Sequence, residues 1–343
     1  MVEKDALIGK LGFVVLVGGG RMGEALLAGM IGKLGMPASM IAIVEPKQAR
    51  LQEFQSKYGC TGFTSIDALA DSYVAEPKGA SAAAELKSAP AAAESKSASA
   101  ANPTTVILAV KPQVIKDVMR NLAQVINSTQ ETAAGNDQVE QQSHHSLCGD
   151  TNSKVDGLSL ANVVRPRRVI SIAAGVTRAT LKEFFPNDYV IRVMPNVALL
   201  AGEGASAICG GLSEAERSEV HLVRDFFACM GEAVVVPEAL INAATAISGS
   251  GPAYFARLAM AMAEAGEALG LPPETAATLA RQTLVGTAAY LQQTGASPKE
   301  LAIAVASPGG TTEAALESFT ADNFEQVVYK AADAAVSRAE KLA

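Results

Sequence analysis

The chain has 343 residues, 49% of them apolar, and 28 Lys+Arg against 35 Asp+Glu give a formal net charge of -7. That length and apolar share provide for one large or two medium globular domains. The acidic balance, with aromatics at 5% and no Trp, argues against a nucleic-acid surface built on clustered cations or base stacking. Four cysteines (Cys60, Cys148, Cys209, Cys229) lie far apart with no C-x-x-C pair. A zinc module or a disulfide scaffold is not expected, and no metal, which fits a reducing compartment. No secretory signal is evident after Met1, and no apolar run approaches the roughly 18 residues of a membrane span. A cytoplasmic protein without membrane partners is the expectation.

Taken in chain order, Phe13–Val17 reads as a short buried strand, followed by a helix over about 22–34. A second strand (40–44) and a helix (47–58) come next. Residues 75–101 are three tandem nonapeptides. Glu76, Glu85 and Glu94 recur in one phase and Lys78, Lys87 and Lys96 in another. The copies carry too few large apolar residues to stack, so a solvated insertion over about 75–103 is expected. A strand (105–110) and a helix (113–125) follow. A second insertion, about 127–164, is rich in Ser, Asn, Gln, Asp and Thr and holds His144, His145 and Cys148. With no fourth ligand in sight it reads as a polar loop rather than a metal site. Three further strands (169–172, 190–193 and 205–208) complete an alternation that implies parallel pairing with helices on both faces.

Beyond about residue 238 the pattern is helical only. Gly251-Pro252 opens a long apolar helix, with Pro where its missing N–H costs nothing. Gly270 and Pro272-Pro273 stop it; further helices read over 274–293, from Thr311, and over 323–341. A helix apolar on most faces must be buried on most sides, which points to a dimer of interlocking helices. The expected fold is an α/β Rossmann-type N-terminal domain with a parallel-dominated sheet (11–237), then an all-α C-terminal dimerisation and substrate domain (238–343).

Gly18-Gly19-Gly20-Arg21-Met22-Gly23 leaves the first strand and opens a helix, the context in which G-x-G-x-x-G signals dinucleotide binding. The first glycine makes the turn, the second admits the pyrophosphate backbone and the third lets helix and strand pack closely. The helix N-terminus supplies N–H groups for phosphate. Glu45 stands at the end of strand two, 22 residues after Gly23, where an acid bonds the ribose 2′-hydroxyl and disfavours a 2′-phosphate. Lys47 and Arg50 follow and could offset that repulsion, so the cofactor is NADPH or NADH. Ala109-Val110-Lys111-Pro112 and Ile172-Ala173-Ala174-Gly175 follow strands whose ends face the same cleft; Pro112 also reads as routine helix initiation. In the helical half, Ser307-Pro308-Gly309-Gly310-Thr311-Thr312 places hydroxyls and bare N–H groups at a helix start. That suits a small carboxylate, with N-capping as the plainer alternative. Ser248-Gly249-Ser250-Gly251-Pro252-Ala253-Tyr254 divides evenly between such a site and tight packing. The three His are His144, His145 and His221, and no Lys occurs between Lys182 and Lys299. Alcohol or hydroxy-acid chemistry needs such a proton-transfer group. Reduction of an iminium does not, because the substrate already carries the proton.

The order of these motifs, with Ala173–Thr177 and Met194-Pro195-Asn196, resembles the pyrroline-5-carboxylate reductase family from about Phe13 to the C-terminus. The resemblance implies reduction of (S)-1-pyrroline-5-carboxylate to L-proline by NADPH or NADH, as the last step of proline synthesis. It implies cofactor contacts from Val17, Gly18, Gly19, Gly20, Arg21 and Met22, and from Ala109, Val110, Lys111 and Pro112. It further implies that Ser307, Gly309, Gly310, Thr311 and Thr312 hold the substrate, with Thr312 catalytic as partner of the ring nitrogen, and that helical domains form a homodimer, with higher homo-oligomers common. The chain departs from the family pattern at Val197-Ala198, where Thr-Pro is usual, and at Ala304, where a polar residue often stands. Two readings stay beside this one: a β-hydroxyacid dehydrogenase, which shares Gly-x-Gly-x-Met-Gly but needs a helix Lys, and a non-catalytic nucleotide-sensing relative.

Overall fold

Five consecutive apolar residues, all buried, make Phe13–Val17 (β1) the centre of a sheet covered on both faces. The computed structural model describes residues 4–74, 104–135 and 167–341. The insertion at 75–103 and most of that at 127–164, including His144, His145 and Cys148, lie outside the described residues. The remaining strands are β2 (Ile41–Val44), β3 (Thr61–Phe63), β4 (Thr104–Leu108), β5 (Arg168–Ser171), β6 (Tyr189–Met194), β7 (Gly204–Cys209) and β8 (Gly231–Val235). Their order is β3-β2-β1-β4-β5-β6-β7-β8. Every pairing is parallel except β6 with β7. Strand order reverses between β1 and β4, so the C-terminal ends of those strands border the crevice where doubly wound sheets bind ligands.

Helices α1 (Lys4–Leu11), α2 (Arg21–Ala28), α3 (Gln48–Tyr58), α4 (Ile66–Val74), α5 (Pro112–Gly135), α6 (Arg178–Phe184) and α7 (Glu214–Ala228) accompany the sheet. Alternation along β1 divides the core. Val14 and Leu16 point into one layer with Leu7, Leu11, Leu26, Met30 and Phe226. Phe13, Val15 and Val17 point into the other with Ile115, Met119, Leu181 and Phe185. This is the period-2 side-chain rule applied to a strand buried on both sides.

Several details differ from the expectation. The helix expected over 22–34 is α-helical only to Ala28 and continues as a π-helical turn, Gly29–Leu34, ending at left-handed Gly35. Gly29 lies against Met230, whose Sδ is 2.0 Å from where a Cβ would stand. Helix α5 runs to Gly135, into the stretch expected to be a polar loop from about 127. Helices α1, α4, α6 and α7 and strands β3 and β8 fall outside the expected elements; Leu7 and Leu11 of α1 are core residues.

The chain divides into two compact units, one reaching Ile241 and one from Asn242 onward. The second begins within a short helix, α8 (Ile241–Ala244), and continues through a π-helical turn, Thr245–Gly249. It contains α9 (Gly251–Ala268), α10 (Pro273–Thr294), α11 (Pro298–Val305), α12 (Thr311–Ala321) and α13 (Phe324–Glu340). Left-handed Gly270 and then Pro272 separate α9 from α10, and Gly295 closes α10. Gly266 lets the two helices meet: a Cβ there would stand 3.1 Å from the Ala276 Cβ. Helix α11, absent from the sequence reading, starts with Ser297 and Glu300 in a reciprocal capping box.

Candidate active site

Each glycine of the fingerprint has a separate physical reason. Gly18 has φ +109°, and a Cβ there would meet the Ala109 carbonyl oxygen at 2.7 Å. A Cβ on Gly23 would stand 2.0 Å from the Gly18 carbonyl oxygen, so its absence lets α2 sit on the end of β1. Gly20 has nothing within 4 Å of a Cβ position. The backbone is therefore bare and open at the helix start, where a phosphate needs to approach. Gly20 is also the N-cap of α2 and no side chain caps that end. These residues fit a dinucleotide: open space, unclaimed first-turn amides and the positive end of a helix coincide.

Gly19 faces inward. Its N–H donates to Glu45 Oε2 at 2.8 Å, and the Lys47 N–H donates to Glu45 Oε1 at 3.0 Å. Glu45 is buried, so the carboxylate at the end of β2 is fixed rather than swinging in solvent. Arg50, on α3, is not a free cation. Its Nη2 lies 2.5 Å from Glu24 and its Nη1 2.6 Å from Glu53. Its Nε donates to the Gly19 carbonyl at 3.2 Å, and its guanidinium lies 4.3 Å from the Phe54 ring centre. Glu24 also accepts from Lys57 at 2.8 Å and from the Tyr58 hydroxyl at 3.2 Å. Hydrogen bonds from Lys57 and Arg50 hold the Glu24 carboxyl down at about 2. Glu24 and Phe54 were missed by sequence reasoning. The pair Glu24–Arg50 is 26 residues apart, and only the tertiary fold joins them.

The other expected cofactor residues gather at the same sheet edge. Gly18 N–H bonds the Val44 carbonyl, Ala109 N–H the Val17 carbonyl and Ile172 N–H the Leu108 carbonyl. The ends of β1, β2, β4 and β5 are thereby stitched in line. Val17 ends β1; Arg21 and Met22 begin α2; Val110 and Lys111 follow β4, and Pro112 begins α5. Ala173 is buried and Ala174 half-buried beyond β5. On β7 the Cys209 thiol is pushed up to about 11, chiefly by burial.

In the helical unit, Ser307, Gly309, Gly310, Thr311 and Thr312 form the turn into α12. Gly309 has φ +69°, which favours glycine, and a Cβ on Gly310 would meet the Ser307 carbonyl oxygen at 2.8 Å. Gly310 is the N-cap of α12, with no side-chain cap. The hydroxyls of Ser307, Thr311 and Thr312 are therefore not spent on capping, which removes the plainer reading of this motif. Glu313 reaches back to accept from the Gly309 N–H at 2.6 Å, a contact the sequence reading did not include. An open cavity of about 560 Å³ lies beside the turn, lined by Ala306, Glu313, Leu316, Glu317, Thr320 and Ala321. In the other glycine motif the Ser248 hydroxyl donates to the Ala244 carbonyl. Among the described residues no group of three His, Cys, Asp or Glu could hold a metal, and no helix is long and apolar enough to cross a membrane.

Comparison with known proteins gives the family. A model of pyrroline-5-carboxylate reductase dimerisation matches residues 238–342, and a model of coenzyme F420-dependent NADP oxidoreductase matches 13–131. The pyrroline-5-carboxylate reductase of Synechocystis sp. is 31% identical over 95% of this chain and 97% of its own length. The chain belongs to the pyrroline-5-carboxylate reductase family. The reductase structure from Coxiella burnetii superposes with TM-score 0.70 at 26% identity, covering 97% of this chain and 99% of that one. A Plasmodium falciparum pyrroline carboxylate reductase with NADP bound shares the fold, with TM-score 0.64, 20% identity, and 97% and 98% coverage. Against this family, Met194-Pro195-Asn196 keeps a structural use: Asn196 Oδ1 accepts the Ala205 N–H at 3.1 Å. The departures Val197 and Ala198 open a 3-10 turn, and Ala304 lies exposed on α11.

Proposed function

We infer that this chain reduces (S)-1-pyrroline-5-carboxylate to L-proline with NADPH or NADH, the last step of proline biosynthesis. The observation that carries this reading is 31% identity to a reductase of that name along nearly the whole of both chains. The first domain (11–237) serves the cofactor through the Gly18–Gly23 turn, Glu45, Ala109 to Pro112 and Ile172 to Ala174. The second (238–343) serves the substrate and dimerisation. The bound cofactor supplies the hydride.

The protein's part is placement. In the turn before α12 the substrate carboxylate meets the first-turn N–H groups, favoured by the helix dipole. The hydroxyls of Ser307 and Thr311 add donors. Thr312 is the catalytic residue: its hydroxyl oxygen accepts a hydrogen bond from the N–H of the protonated ring imine and keeps the adjacent carbon facing the hydride. The iminium already holds its proton, so the hydride adds to carbon, the C=N π electrons become the amine lone pair, and no protein acid is consumed. Positioning of two reactants lowers such barriers by up to roughly 7–11 kcal/mol. Glu313 holds the turn by its bond to Gly309. A β-hydroxyacid dehydrogenase is disfavoured because α9 carries no Lys, and a sensor role is disfavoured because the substrate turn is intact.

We further propose a cytoplasmic homodimer able to assemble further. The experiment is oxidation of NADPH or NADH by the purified protein with pyrroline-5-carboxylate, with proline measured as product. Turnover is expected with at least one cofactor; binding without turnover would shift the assignment to the sensor role. In Thr312→Ala, kcat falls by about tenfold to a hundredfold, the worth of one hydrogen bond to a charged group, while cofactor affinity stays put. An unchanged kcat would remove Thr312 from its role.

A further inference from the structure

The adenosine end of the cofactor site has an electrostatic design that the reductase reading leaves open. We propose that this chain selects NADH over NADPH, and that two carboxylates, Glu45 and Glu24, set the selection. This rests on the NAD(P)H-dependent reading above. NADH and NADPH differ by one 2′-phosphate, so discrimination is decided by what meets that ribose oxygen.

Glu45 provides the first half. It ends β2, the place from which a carboxylate accepts from the 2′-hydroxyl. The Gly19 and Lys47 N–H groups fix it at 2.8 and 3.0 Å. They use two of about four acceptor positions, which leaves others for a ribose hydroxyl. The residue is buried, and Phe54 and Glu45 both press on Gly19: a Cβ there would meet Phe54 Cε2 at 2.5 Å and Glu45 Oε2 at 2.9 Å. The carboxylate cannot turn away to make room for a phosphate without breaking the loop that holds the cofactor.

Glu24 provides the second half. A 2′-phosphate is ordinarily gripped by an Arg near this position, and Arg50 is the candidate. All three of its nitrogens are engaged, with Glu24, Glu53 and the Gly19 carbonyl, and one face of its guanidinium covers Phe54. Glu24 also neutralises Lys57 at 2.8 Å. The cations left over, Arg21 and Lys47, have exposed side chains, and exposed charges are screened and contribute little. Glu24 thus withholds from a phosphate the two cations that would have welcomed it, while Glu45 repels it directly.

The test is isothermal titration of the full-length protein with NADH and with NADPH, for the wild type, Glu45→Gln and Glu24→Gln. Wild type is expected to bind NADH at least about tenfold tighter. In Glu45→Gln the ratio shrinks by about tenfold, because the amide keeps an acceptor for the Gly19 N–H but loses the charge. In Glu24→Gln it shrinks through a gain in NADPH affinity, as Arg50 is released. Competition by adenosine 2′,5′-bisphosphate against 5′-ADP on the wild type gives the same answer without any variant, so a variant that fails to fold does not decide the matter. Tight binding of both cofactors with NADPH equal or better overturns the selectivity and leaves the reductase reading standing. A ratio that neither variant moves overturns the role given to Glu45 and Glu24. Failure of both cofactors to bind overturns the reductase reading and this proposal together.

Discussion

Gly20 and Gly23 share a turn but answer to different forces, and substitution separates them. Gly20 has φ -69° and open space at its Cβ position, so alanine fits the free protein. What alanine obstructs is the phosphate that approaches the helix end. Gly20→Ala is expected to melt within about a degree or two of wild type, as harmless surface substitutions do, yet to weaken NADH binding by about tenfold. Gly23→Ala forces a methyl group to within 2.0 Å of the Gly18 carbonyl oxygen. Overpacking of that kind costs about 1–3 kcal/mol, visible as a lower urea midpoint even without ligand. Thermal and urea unfolding with cofactor titration check both. A Gly20→Ala protein that lost stability but kept its cofactor affinity would contradict the division of roles.

At the scale of elements, strand and site follow from local patterns wherever the signal is contiguous. β1, β2 and β4 announce themselves as apolar runs, and the fingerprint sits between β1 and α2, so its place at the sheet edge could be read directly. β3 could not: Thr61-Gly62-Phe63 is three half-buried residues, too short for any periodicity. β8 was hidden because Gly231-Glu232-Ala233-Val234-Val235 is half to fully exposed at a sheet edge, so burial imposes little pattern on it. The same limit hid Arg168. The sequence shows a cation entering a strand; the structure shows it 1% exposed. It lies at the N-terminal edge of the sheet, opposite the cofactor loop. Its Nε donates to Glu219 on α7 at 2.7 Å, Nη2 bonds the same carboxylate, and Nη1 donates to Thr105 on β4 at 2.7 Å. Thr105 in turn donates to the Leu11 carbonyl that ends α1. Four elements converge on one buried guanidinium. Glu219→Gln strips its counter-charge, and breaking a buried pair costs about 3–5 kcal/mol. A large drop in chemical stability is expected, with cofactor affinity per folded molecule unchanged because the network lies at the other end of the strands. A variant as stable as wild type would show the pair to be dispensable.

At the scale of the whole molecule, the helical unit is built to be completed by another copy. In α9 the only buried residue is Gly251, while Phe255 is 60% exposed and Met260 and Met262 are about half exposed. Ile303 on α11 and Val327 and Tyr329 on α13 stand equally open. So many exposed large apolar side chains mark an interaction surface, and the family model covering these residues is one of dimerisation. Association removes the surface from water and supplies the burial that the unit lacks. Stability is then coupled to concentration, because anything that binds only the folded state raises the melting temperature by mass action. The wild-type melting temperature should climb as protein concentration rises from about 1 to 100 μM, a range wide enough to move a linked equilibrium by roughly 2.7 kcal/mol. Phe255→Asp places a charge in the face to be buried, which is strongly unfavourable without a partner ion. Sedimentation velocity should show this variant shifting towards monomer, with turnover lost in proportion and a melting temperature that no longer depends on concentration. Residues 1–241 expressed alone should still bind NADH, since the Gly18–Gly23 turn, Glu45 and the ends of β1, β4 and β5 all lie within the first unit. A Phe255→Asp protein that stays dimeric at 1 μM would mean that the apolar face of α9 is covered by something other than a second copy.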